Sequence, residues 1–183
     1  MEELFELKER LTQERPAPWD ALPDIALYMD QIVSYMPRQL IRHDDTEVLT
    51  SAMVNNYIKD GLLPRADGKR YDRTHLAHLT AICMLKQVLS VKEMKTLIQS
   101  GSEGNDVRQT YERFCRRLDD ALNETAKELE EERGEEDLAW LALGLALRSY
   151  ADKLACQRVL NLLQERESAP EGKKQNKTKE KGE

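Results

Sequence analysis

Within the stretch LTSAMVNNYIKDGLLP, Ala52, Asn55, Asn56 and Lys59 are spaced i, i+3, i+4 and i+7, which puts them on one face of a helix. The chemistry of that face is amide recognition. An asparagine can accept from N6 and donate to N7 of one adenine edge in the major groove, and a good bidentate pair discriminates by about 1–3 kcal/mol. Each asparagine costs a helix roughly 0.5 kcal/mol relative to alanine. Two in succession are therefore expected to act outside the helix, as base or phosphate contacts. The plain alternative is that both amides are solvated or bond to a neighbouring loop.

Basic residues follow closely. Arg65, Lys69 and Arg70 flank an Asp67-Gly68 step, where they could neutralise phosphates and fix register without reading sequence. A charged, solvated turn is the competing reading. Ser51 and Ala52 in the first turn of the helix complete the candidate contact set. Tyr57 and Tyr71 belong to it as rings that can pack inward with hydroxyls able to reach a phosphate. Core packing is an equal expectation for both.

Other chemistry is poorly represented. His75 and His78 lie three apart with no third ligand nearby in sequence, so they read as structural or solvated. Cys83, Cys115 and Cys156 lack CxxC spacing and read as three reduced thiols. There is no nucleophile elbow, Gly-rich phosphate loop or HExxH motif, so no catalytic residue, cofactor or metal is expected and the chain does not read as an enzyme.

The elements that must position these residues read as helices. The 183 residues are 40% hydrophobic and 34% charged, enough for one core, and rich in Leu, Ala, Glu, Lys and Arg. The spacing predicts a helix over 2–14 with Leu4, Phe5, Leu7 and Leu11 inward. "RPAPWDALP" then forms a linker, and a second helix follows from Asp24 to Met36. Thr50 is an N-cap for the helix bearing the asparagines, and Gly61 can end it. Asp67-Gly68 between apolar positions signals a hairpin, here a small β-wing. A Leu-rich helix follows, then a capping box at Ser90 and Glu93 that opens another. Beyond "SGSEG", Val107, Tyr111, Phe114, Leu118, Leu122 and Leu129 mark an amphipathic helix interrupted at Gly134.

The last helix, from about Glu136 to Arg166, is apolar nearly all round in its first half and must be covered on several sides. Its longest apolar run, Leu138 to Leu147, is about half of what a membrane span needs. With no signal-like N-terminus, a cytoplasmic location without membrane association is expected. The net charge of −6 is unevenly spread. Residues 48–98 carry eight Lys/Arg against four acids, whereas residues 103–137 carry six against thirteen. That asymmetry points to a basic contact face on one module.

In order, helix, Gly-Leu-Leu-Pro, basic hairpin, helix and "LSVKEM" segment resemble the DNA-binding domain of the MerR regulator family over Thr50 to Ile98. Thr50 takes the family's cap position, Asn55 that of an Arg, Asn56 and Tyr57 those of two tyrosines. Lys69-Arg70-Tyr71 matches an Arg-x-Tyr element. The block is still more similar to an uncharacterised bacterial family described only as MerR-like helix-turn-helix proteins. The resemblance implies a mostly α fold: a winged helix-turn-helix over 24–100 with a small β-wing, preceded by a helix and linker over 1–23. It implies double-stranded DNA as partner and a transcriptional role. Outside the resemblance, spacing predicts a C-terminal helical region over 105–166, and the polar, low-complexity composition of 167–183 a disordered tail. The apolar C-terminal helices are expected to form a homodimer, the plain alternative being that they pack onto their own N-terminal helices. An adaptor that keeps the fold but binds protein is the alternative from another class.

Overall fold

The chain begins with α1 (Glu2–Gln13) and is cut short by the prolines that follow it. The computed structural model describes residues 2–40, 49–102, 104, 106–129 and 137–168. The polar loop over 42–47, the interruption at Gly134 and all but the first two residues of the tail lie outside the described residues. Leu4, Leu7 and Leu11 of α1 are half-buried, but Phe5 is exposed.

The Pro-rich strap after α1 is held by polar groups, because its prolines cannot donate backbone hydrogen bonds. Arg15 Nε donates to Asp119 Oδ1 at 2.6 Å, and its Nη2 to Asn123 Oδ1 at 3.1 Å. The Ala17 N–H donates at 3.0 Å to Oε1 of the buried Gln39, whose Nε2 donates to the Tyr35 hydroxyl. Gln39 is thus a buried amide with both ends satisfied.

The second helix starts later than its apolar spacing predicts. α2 spans Met29–Tyr35 and leads into a 3₁₀ turn at Met36–Gln39, while Leu27 is bridged and Tyr28 extended just before it. The reason is a non-local pairing. Leu27 N–H donates to Tyr71 O at 2.8 Å, and Tyr71 N–H to Leu27 O at 2.9 Å, which buries Leu27 and leaves Ile25 exposed.

α3 (Ser51–Lys59), α4 (Arg73–Leu85) and α5 (Val91–Ser102) follow. Their caps are as the sequence requires. Thr50 Oγ1 accepts from the Met53 N–H at 3.2 Å, and Ser90 and Glu93 exchange the two bonds of a capping box. At the start of α4, Asp72 Oδ1 accepts from the His75 N–H. Fully buried Ile32, Met36, Val54, Leu76, Leu79 and Ile82 bring α2, α3 and α4 into one core.

The expected small β-wing does not form: among the described residues there are two isolated bridges, Leu27 with Tyr71 and Asp67 with Arg70, and no strand. The ladder has no room to grow. Pro64 lacks an N–H on one arm, and Asp72 already caps α4 on the other. The turn itself is Gly68-Lys69, one residue later than an Asp-Gly turn, with Asp67 and Arg70 exchanging both backbone bonds across it. Of the two turn residues Gly68 takes the positive φ, +62°, as a two-residue turn with Gly first demands.

α6 (Val107–Glu128) packs on α1 and α4, and Tyr111 joins the core built from the preceding helices. α7 (Leu138–Ser168) packs its second half on α5 through buried Leu160 and half-buried Cys156 and Leu163. The core therefore draws on residues from both sides of the 100–104 break. No helix among the described residues is long and apolar enough to cross a membrane.

Candidate nucleic-acid interface

α3 is short, so its ends decide whether it holds its shape. Beyond the Thr50 cap, its C-terminus closes in a Schellman motif: Leu62 N–H donates to Tyr57 O at 2.9 Å and Gly61 N–H to Ile58 O at 3.1 Å. Gly61 takes φ +74°, the left-handed value this motif needs. The Leu62 bond and a second one from the Leu63 N–H to Tyr57 O at 3.2 Å tie both buried leucines to the helix that precedes them.

Burial of Val54 and Tyr57 fixes which way α3 faces. Ser51, Ala52, Asn55, Asn56 and Lys59 are all exposed, and neither asparagine amide has a hydrogen-bond partner among the described residues. Two amides are thus presented to solvent at the middle of a capped helix.

Arg65, Lys69 and Arg70 are exposed around the Gly68-Lys69 turn. His75 is buried beneath it, with Nε2 3.3 Å from the Arg65 carbonyl oxygen and its ring edge-on to Tyr71. His75 Nδ1 lies 2.6 Å from Asp72 Oδ1. Partial burial works to raise the Asp72 carboxyl pKa, but hydrogen bonds from His75 and the backbone outweigh it and hold the pKa below its ordinary value. His75 is a structural residue, as its isolation in sequence suggests. His78 bonds to the Thr74 carbonyl of its own helix.

Tyr57 and Tyr71 sit differently from the other eight candidates. They are 7% and 5% exposed, with both rings in the core. Burial raises the Tyr71 hydroxyl pKa. Their contribution to the face is to anchor the two segments that carry it.

Two side chains join this region without having been legible in the sequence. Tyr28, placed by the Leu27–Tyr71 pairing, lies under Arg70, whose guanidinium carbon is 5.5 Å from the ring centre. Lys95 on α5 brings Nζ to 3.6 Å from where a Cβ on Gly61 would sit, a cation at the negative end of α3. No helical or strand periodicity connects either residue to α3.

Cys83 is buried and Cys115 and Cys156 half-buried, none of them in a disulfide; burial pushes the Cys115 thiol pKa up. Among the described residues no group of three or more His, Cys, Asp or Glu side chains could hold a metal ion.

The fold is mostly helical, with an exposed amide pair on α3 and an exposed basic turn at Gly68-Lys69. The chain belongs to the DUF1836 family, a domain of unknown function, which it matches over residues 17–114. That segment runs from the Pro-rich strap into α6 and closes on itself, because the Tyr111 hydroxyl donates to the Ala17 carbonyl oxygen at 2.8 Å. Comparison with curated proteins and with solved structures found no match.

Proposed function

We propose that this protein is a DNA-binding transcriptional regulator with a MerR-like helix-turn-helix, in which α2 supports α3 and α3 enters the major groove. Asn55 and Asn56 read base edges, and Lys59 meets phosphate. Arg65, Lys69 and Arg70 grip the flanking backbone, with Ser51 and Ala52 close to the groove wall. The two half-sites such helices commonly read call for a homodimer, formed through the C-terminal helices. No reaction is catalysed.

One observation carries this reading: two adjacent asparagines, unfavourable in a helix, stand exposed and without side-chain partners among the described residues, on a helix capped at both ends. The excess of Lys and Arg over residues 48–98, in a chain of net charge −6, adds to it.

Binding to a mixed-sequence duplex, measured by fluorescence anisotropy at several salt concentrations, tests it. Affinity is expected to fall steeply with salt, and Lys69→Ala to reduce the logarithmic slope by about 1. Absence of salt-dependent binding would defeat the reading. It would favour a protein-interaction adaptor instead, a role consistent with the acid excess over residues 103–137.

A further inference from the structure

Ten consecutive residues of α7, Ala146 to Ala155, are exposed. A bare helical segment of that length is marginal in water, since most helix stability in proteins comes from packing. Its side chains are also the wrong kind for solvent. Trp140, Leu143, Leu147, Tyr150 and Leu154 are 71%, 45%, 59%, 67% and 57% exposed. They recur at spacings of 3, 4, 3 and 4, the repeat of a coiled-coil seam. The opposite side of α7 is already used, with Leu141 and Leu160 buried and Arg148 paired to Glu124 and Glu128 of α6.

We infer that this stripe is the seam of an antiparallel pairing between α7 helices of two copies of the chain. The inference rests on the dimeric part of the proposed function and names its surface; it does not depend on what α3 binds.

Several features select a second copy as the occupant. The stripe is self-complementary when the two-fold axis falls between Leu147 and Tyr150. Leu147 then faces Tyr150 of the second copy, and Leu143 faces Leu154. The positions beside the seam are small where the helices cross, with Gly144 opposite Ala151, and nothing lies within 4 Å of a Cβ built on Gly144. At the ends of the same register Asp137 of one copy comes opposite Arg158 of the other, twice by symmetry. Trp140 falls opposite Gln157. The Gln157 amide nitrogen donates to Glu93, which leaves its oxygen to accept an indole N–H.

The area is sufficient. Five such side chains expose on the order of 600 Å² per copy, so a seam that covers them fully buries roughly 1,200 Å², the lower bound for a specific interface.

Sedimentation equilibrium of the full chain at tens of micromolar, without DNA, is the test. The wild type is expected to be a dimer, and Leu147→Glu/Leu154→Glu to weaken it by about 100-fold or more. Charge reversal checks the register in variants that leave the seam intact. Arg158→Glu is expected to weaken the dimer about tenfold, and Asp137→Lys/Arg158→Glu to restore it. A monomeric wild type would overturn the inference and leave the stripe to a partner of different sequence. A dimer that survives the leucine substitutions, or one indifferent to both charge variants, would overturn the seam or its register. Failure of DNA binding by an intact dimer would count against the regulator reading alone.

Discussion

The Arg70 guanidinium stacks on the Tyr28 ring, 5.5 Å from its centre, and Nη2 donates to the Tyr28 hydroxyl at 3.3 Å. An extended segment before α2 thereby steadies a cation at the Gly68-Lys69 turn. Both residues are exposed, where such a contact contributes about 0.5–1 kcal/mol. Tyr28→Ala is expected to weaken duplex binding by about two- to fivefold with the fold intact. Tyr28→Phe should keep most of the affinity. Anisotropy titrations paired with thermal melts check this, and wild-type affinity in Tyr28→Ala would remove Tyr28 from the interface.

Gly61 sets where α3 ends. Its φ of +74° is costly for any residue with a Cβ, whereas Lys95 Nζ at 3.6 Å is ordinary contact and can give way. Gly61→Ala is therefore expected to destabilise the chain by about 1–2 kcal/mol through backbone strain. Urea unfolding measures it; a change within about 0.5 kcal/mol, the scatter of ordinary surface substitutions, would show that the motif relaxes freely.

The strap and α6 meet at the Tyr111 hydroxyl, which donates to Ala17 O at 2.8 Å, and burial raises the pKa of that hydroxyl. Tyr111→Phe removes the donor and strands a carbonyl, at an expected cost of about 1–3 kcal/mol. Faster hydrogen exchange at Ala17, whose N–H bonds to Gln39, should accompany the loss. Unchanged stability would mean that water replaces the hydroxyl fully.

Asp72 makes stability depend on acid. Its folded-state pKa is held below the ordinary carboxylate value, so its contribution is present above about 4, the unfolded value, and is lost as pH falls through the folded one. Asp72→Asn should melt below wild type at pH 6, and the gap should close in acid. A gap independent of pH would assign the effect to helix capping alone.

Much of this face was legible because its determinants are local. Thr50, Gly61 and the Ser90–Glu93 box act within one helical turn, and the structure uses each as its residue type demands. The outward placement of Asn55, Asn56 and Lys59 follows from the 3.6-residue period. What sequence spacing missed is non-local. The Leu27–Tyr71 pairing, across more than forty residues, delays α2 to Met29, turns Ile25 outward and delivers Tyr28 to Arg70. The wing failed as a strand pair because Pro64 and the Asp72 cap leave no length for a ladder, which the Asp-Gly signal does not encode. α7 was recognised as needing cover, but only its packing on α5 revealed which side remains open.

The proposed reading of DNA by Asn55 and Asn56 is open to direct measurement. The direct measurement is to incubate the protein with fragmented DNA of its own genome at about 0.15 M salt, where non-specific contacts are already weakened, and to sequence what is retained. Enrichment of a few sites, lost in Asn55→Ala/Asn56→Ala, is expected. Enrichment that persists in the double variant, or none with folded protein, would contradict it.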